Sequence, residues 1–288
     1  MKINRIEPQG FCGGVKNALR ILDEALSDNT VPRPIYLLGA IIHNNHVINE
    51  CKEKGIIIID DKNKTRLELL DQINSGTVIF SAHGVSPSVY EKAQSKGLYS
   101  IDATCPNVKI IHNKISKYLS EGYDSIYIGS KDHAEYEGVS GISSDIHLVS
   151  NIDDINKLDI NNDKIYITNQ TTLSTLDIKD LFDSLINKYP NAIIDDKICN
   201  ATTVRQKAVL NQEHVDLCIV VGDKTSSNTN KLLSTAKKAN INAVLCDNLD
   251  DLDKSLLKDI NSVSVTSGAS TPSYLVDEII EYLKIHTN

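Results

Sequence analysis

The feature that most constrains this chain is a cysteine that recurs at a nearly even interval, each time just ahead of a helical pattern. Cys12, Cys105 and Cys199 are separated by 93 and 94 residues. They open the segments Cys12-Gly13-Gly14-Val15, Cys105-Pro106-Asn107-Val108 and Cys199-Asn200-Ala201-Thr202. After the first, Val15, Ala18, Leu19, Leu22 and Leu26 fall on one helical face. After the second, Val108, Ile111, Ile115, Tyr118 and Leu119 do the same, and Pro106 stands where a first helical turn tolerates proline. Val204, Ala208 and Val209 form a weaker stripe after the third.

Each helical stretch gives way to a strand that closes in glycine and then a polar cluster. Gly39 leads to His43-Asn44, Gly129 to His133-Ala134-Glu135, and Gly222 to Ser226-Ser227-Asn228. A second strand and a second polar tip follow in each third: Ser81-Ala82-His83-Gly84, Asn169-Gln170-Thr171-Thr172, and Ser267-Gly268-Ala269-Ser270. Strand–glycine–helix punctuation occurs in any α/β chain. Three cysteines in register with two sets of polar tips mark an internal repeat, with a period longer than that of a solenoid. The alternation predicts an α/β fold with mostly parallel sheet, in which ligands gather at the carboxyl ends of strands. Three units, at 1–104, 105–197 and 198–288, would each bring one cysteine to a shared centre.

Composition narrows the function. Of 288 residues 41% are hydrophobic and 24% charged, as in an ordinary globular protein. The longest apolar runs have strand length, far below the roughly 20 residues of a membrane span. The start, Met1-Lys2-Ile3-Asn4-Arg5, shows no apolar signal region. A cytoplasmic protein with no membrane partner is expected. The net charge of −8 and the absence of a Lys/Arg cluster argue against nucleic acid as the main partner. A local pocket of donors could still hold a small anion.

The six cysteines include no C-x-x-C pair. A cysteine taken alone is more often a small buried hydrophobe. Cys12, Cys105 and Cys199 differ by preceding helix starts, where free N–H groups and the helix dipole favour a thiolate. Gly13 and Gly14 would let the backbone approach a bulky inorganic group. Three thiolates from distant points suit a cubane iron–sulfur cluster with one iron open, better than a structural zinc, which favours close cysteine pairs. His43, His83, His133, Thr171, Thr172, Ser226, Ser227, Asn228 and Ser270 supply donors that could chelate a diphosphate. Helix capping is the other reading of Ser226-Ser227-Asn228. Glu135 is either a solvated surface group or a proton donor near the metal centre. His46, His112, His147, His214 and His286 are taken as structural, and Cys51, Cys218 and Cys246 as core.

These segments, in this order over about residues 3–280, resemble the 4-hydroxy-3-methylbut-2-enyl diphosphate reductases. The resemblance implies a trefoil of three pseudo-symmetric α/β units around a central cavity, with a [4Fe-4S] cluster on Cys12, Cys105 and Cys199. It implies diphosphate contacts from His43, His83, His133, Ser226, Ser227, Asn228 and Ser270. Thr171 would lie near the substrate hydroxyl and Glu135 would supply the proton. The implied reaction is a two-electron reductive dehydroxylation giving isopentenyl and dimethylallyl diphosphate, with a ferredoxin or flavodoxin as electron donor. Ala134 stands where the resemblance implies a proline in many relatives, and the RNA-binding extension that some relatives carry is not expected here. A non-redox [4Fe-4S] hydro-lyase and an iron–sulfur redox sensor are the competing readings. Replacing any one of the three cysteines by serine is expected to abolish or weaken the brown absorbance near roughly 400 nm that cysteine-bound clusters give. Absorbance of anaerobically reconstituted protein checks it.

Overall fold

The computed structural model describes residues 1–196 and 198–286. Lys197, at the expected boundary between the second and third units, and the last two positions of the third, Thr287 and Asn288, lie outside the described residues. The first stretch runs β1 (Lys2–Arg5), α1 (Gly13–Ser27), β2 (Ile35–Leu38), α2 (Asn45–Glu53), β3 (Ile57–Ile59), α3 (Arg66–Leu69), β4 (Thr77–Phe80), α4 (Pro87–Ser95) and β5 (Tyr99–Asp102). Next come α5 (Pro106–Ser120), β6 (Asp124–Ile128), α6 (Ala134–Ser140), β7 (Ile146–Val149), α7 (Ile152–Lys157), β8 (Ile165–Asn169), α8 (Thr175–Lys188) and β9 (Ile193–Asp195). The chain continues through α9 (Asn200–Leu210), β10 (Leu217–Val221), α10 (Ser227–Lys238), β11 (Ala243–Cys246), β12 (Ser262–Ser267) and α11 (Ser273–His286).

The strands form three parallel four-stranded sheets in one repeated order: β3-β2-β4-β5, β7-β6-β8-β9 and β11-β10-β12-β1. The expected α/β class and three similar units are thus present. The pattern also closes on itself. In the first two sheets the fourth strand is the one just before the next cysteine, and in the third that place is taken by β1, which pairs with β12 from Lys2↔Ser262 to Arg5↔Val265. By hydrogen bonding, residues 2–5 therefore group with the last segment of the chain, although sequence order puts them in 1–104.

The two inner strands of each sheet are covered on both faces, as a parallel sheet between helices requires. β4, β8 and β10 are buried at every position, whereas the edge strands β1, β3, β5 and β9 are partly exposed. Helix α1 buries Val15, Ala18, Leu22 and Ala25, with Leu19 and Leu26 at the margin of the same core. Burying a side chain such as Leu22 contributes about 1.5–3 kcal/mol. Helix α5 buries Val108, Ile111 and Ile115.

Helix α9 departs from its expected apolar stripe. Val204 is 39% exposed, and the buried face carries Thr202, Arg205, Gln206 and Val209. Part of that face meets polar partners: Arg205 Nη2 donates to Gly10 O at 2.6 Å, and Gln206 Nε2 to Leu173 O at 3.3 Å, while Val209, with Ala208 beside it, packs in an apolar core with Val220 and Leu232. Ala208 and Val209 thus keep the expected stripe and Val204 alone leaves it, because the polar residues of this face carry no hydrophobic period.

Deleting residues 2–5 is expected to open the edge of β12 while leaving the first two sheets intact. Hydrogen exchange should accelerate at 262–267 and stay unchanged at 35–80. Equal acceleration in both regions would show that the sheets do not open separately.

Candidate active site

The carboxyl ends of the six inner strands converge on one cavity, of about 670 Å³ including its solvent-open part. Each cysteine is pinned to it in the same way. The backbone N–H of Cys12 donates to Ala269 O at 3.0 Å, that of Cys105 to Ala82 O at 2.9 Å, and that of Cys199 to Thr171 O at 3.2 Å. The acceptors lie just past β12, β4 and β8, so each cysteine hangs from the tip of the sheet that precedes it.

All three cysteines are helix N-caps, of α1, α5 and α9. Val15 N–H donates to Cys12 Sγ at 3.5 Å, and Asn107 Nδ2 to Cys199 Sγ at 3.2 Å. Burial pushes the Cys105 thiol up, while the N–H groups of Asn107 and Val108 pull it down and the neighbouring Cys12 and Cys199 raise it again. A Cβ on Gly14 would stand 2.5 Å from Cys105 Sγ and 3.8 Å from Cys12 Sγ, so glycine is what lets two sulfurs approach one helix start. A Cβ on Gly13 would meet no protein atom within 4 Å. Arg205, 3% exposed, has its Nε unpartnered among the described residues, and Cys12 and Cys199 oppose the lowering of its pKa by burial.

Among the described residues no three His, Cys, Asp or Glu gather closely enough to grip a single metal ion. The three thiols nevertheless line one cavity, with N–H donors and a buried guanidinium nearby. Separated thiols with N–H···S support fit a polynuclear iron–sulfur group, in which each sulfur binds its own metal atom, better than one tetrahedral zinc.

Across the cavity stand three imidazoles. The His43 and His83 ring centroids are 4.4 Å apart, His43 and His133 5.8 Å, and His83 and His133 6.0 Å. Burial lowers all three: His43 and His133 to about 4, and His83 well below its usual range. His133 Nδ1 accepts from Glu135 N at 3.2 Å, which leaves Nε2 to carry the proton of the neutral ring. The hydroxyl wall is closely knit. Ser226, the N-cap of α10, lies 3.1 Å from Ser270 Oγ, and Thr172 Oγ1 lies 3.0 Å from Ser227 Oγ. Asn228 donates to Thr202 Oγ1 at 3.1 Å and accepts from Ala269 N at 2.8 Å. Capping and cavity lining, alternatives on sequence alone, thus coexist at Ser226.

Glu135 is 3% exposed. Its Oε1 lies 2.5 Å from Thr171 Oγ1, and its Oε2 accepts Thr171 N–H at 3.0 Å. Burial raises its pKa, and the Thr171 contacts oppose the rise. The solvated-surface reading of this carboxyl is therefore excluded. His133 caps the start of α6, immediately ahead of Ala134.

Every cysteine, histidine, serine, threonine and glutamate singled out from the sequence as a site residue lines this cavity, as does Asn228. Sequence reading missed Tyr127, whose buried hydroxyl lies beside the Glu135 carboxyl, and Arg205 and Arg66. Tyr127 stands in an Ile-Tyr pair that recurs at 35–36 and 165–166 and reads as strand, and the two arginines stand in no recurring motif, so no local signal marked them as site residues.

The fold and the cavity define a class: a three-unit parallel α/β protein whose helix-capping cysteines line a pocket rich in hydrogen-bonding side chains. Residues 3–284 match the family described as LytB protein, and the chain belongs to that family. It is 48% identical over 286 residues to a protein of Lysinibacillus sphaericus (strain C3-41) named 4-hydroxy-3-methylbut-2-enyl diphosphate reductase, covering 98% of this chain and 88% of that one. A protein of Geobacillus kaustophilus (strain HTA426) with the same name is 46% identical, covering 99% and 90%. The solved E-1-hydroxy-2-methyl-but-2-enyl-4-diphosphate reductase from Plasmodium falciparum superposes with a TM-score of 0.89 at 36% identity, covering 100% of this chain and 88% of that one.

The depressed imidazoles set a pH dependence. Each takes up a proton near 6.5 when unfolded, but His43 and His133 do so only near 4 when folded. Their stabilising share is complete above about 6.5 and is lost as pH falls toward about 4. The urea midpoint of the ligand-free protein should fall across that window, and the fall should be shallower in His43→Asn. Equal slopes would refute the assignment.

Proposed function

We propose that this chain is a 4-hydroxy-3-methylbut-2-enyl diphosphate reductase that yields isopentenyl and dimethylallyl diphosphate. The observation that carries the reading is the meeting, in one cavity, of three capping cysteines, a buried carboxyl and a wall of imidazole, hydroxyl and amide donors. The names of the relatives support it. Cys12, Cys105 and Cys199 would hold a [4Fe-4S] cluster, which when bound supplies a Lewis-acidic iron and a path for electrons.

The rest falls to the chain's own side chains. His43, His83, His133, Ser226, Ser227, Asn228 and Ser270 bind and orient the diphosphate, helped by the free N–H groups at the start of α10. Holding the diphosphate fixes the short allylic arm and lowers the entropic part of the barrier. Two electrons and two protons are consumed: the allylic C–O bond breaks, its oxygen leaves as water, and a proton goes to carbon at either end of the allyl unit. Glu135, whose pKa burial raises against the pull of its Thr171 contacts, gives the proton that makes the hydroxyl a leaving group. The 2.5 Å contact with Thr171 Oγ1 lets that hydroxyl pass the proton onward.

A cytoplasmic ferredoxin or flavodoxin would deliver the electrons. No helix among the described residues is long and apolar enough to cross a membrane. The division at 1–104, 105–197 and 198–288 gives each unit one cysteine and two strand tips, with β1 exchanged to the third sheet.

The test is anaerobic oxidation of a reduced viologen with and without the hydroxymethylbutenyl diphosphate. Substrate-dependent oxidation with both products is expected. No oxidation by protein with an intact cluster would overturn the reading. Glu135→Gln should lower kcat by about 10²- to 10⁴-fold while cluster absorbance and substrate affinity hold. Full turnover in that variant would remove Glu135 as proton donor.

A further inference from the structure

Behind the three histidines lies a cation that the scheme above does not use. Arg66, the first residue of α3, is 7% exposed and pairs through Nη1 with Glu137 of α6. Its backbone N–H donates to the other oxygen of the same carboxylate at 2.6 Å. The opposite edge of the guanidinium turns to the end of β2. A Cβ on Gly39 would stand 3.1 Å from Nη2 and 3.2 Å from Nε, and Gly39 has a φ of +76°. Nε has no hydrogen-bond partner among the described residues.

These contacts place the charge between the loop that leads from Gly39 to His43 and the helix that His133 caps. Its field reaches His43, His83 and His133, lowering the pKa of each. A pair that served only to tie two sheets would add little net stability once desolvation is counted, and would gain nothing from an open Nε.

The groups assigned to the diphosphate carry no permanent charge. The three imidazoles are neutral near neutral pH, the others are hydroxyls and an amide, and the chain as a whole carries −8. Such groups solvate an anion without neutralising it. We infer that Arg66 supplies the permanent positive charge of the diphosphate subsite from behind the histidine cluster, and that Glu137 sets how much of that charge the ligand feels. The inference rests on reading the cavity as a diphosphate site. Arg66 is a positioning residue here: it acts through the field at the histidines, which is strong in a poorly solvated interior.

Calorimetric titration of the cluster-loaded protein with inorganic pyrophosphate tests it. Arg66→Gln should weaken binding by about tenfold or more, Arg66→Lys should stay within about threefold of the unaltered protein, and Glu137→Gln should tighten binding by roughly threefold. The opposite signs separate an electrostatic role from a structural clamp, since loss of a clamp weakens binding in both Gln variants. Equal weakening in both, or no change in Arg66→Gln, would overturn the inference. If the unaltered protein itself ignores pyrophosphate, the diphosphate reading fails and the role of Arg66 falls with it. If it binds and the variants do not differ, only the arginine inference falls.

Discussion

Three backbone hydrogen bonds organise this molecule. Each runs from a cysteine N–H to the carbonyl just beyond an inner strand: Cys12 to Ala269, Cys105 to Ala82, Cys199 to Thr171. Each joins the start of one helix to the tip of the preceding sheet, so the three sheets are linked in a ring. The sulfur positions follow from this linkage, because a helix N-cap fixes the direction in which its side chain leaves the backbone. The ring closes because β1 supplies the fourth strand of the third sheet, as β5 and β9 do for the other two.

The cavity gathers hydrogen-bonding groups inside an acidic protein. Its imidazoles are kept neutral by burial and by a nearby arginine, so they act as hydrogen-bonding groups and not as three crowded cations. Burial acts on Glu135 with the opposite consequence, since for a carboxyl the neutral form is the protonated one. The same desolvation thus favours the neutral form of the imidazoles and of the carboxyl alike. Fixed positive charge is set back in the wall, in Arg205 beside Cys12 and Cys199 and in Arg66 behind the histidines, each buried with one guanidinium N–H open.

Much of this was legible in the sequence because the repeat is carried by short local signals. A cysteine before a helical period, a glycine closing a strand and a polar tip are each read within a few residues, and their threefold recurrence gave the α/β units and the cavity-lining side chains. What failed locally failed for physical reasons. Val204 looked like a core residue, but α9 turns Thr202, Arg205 and Gln206 inward toward polar backbone, and such a face has no hydrophobic period.

The sequence alone determined the elements, their order and the chemical kinds of side chain offered at the strand tips, because these depend on residues close in the chain. Only the tertiary structure decided that β1 completes a sheet more than 250 residues away, that Thr171 grips Glu135, and that Arg66 of one unit meets Glu137 of the next. Those choices depend on which surfaces remain unpaired once the three sheets have formed. Pairings between such distant residues are selected by burial and charge in the assembled core, and no local pattern encodes them.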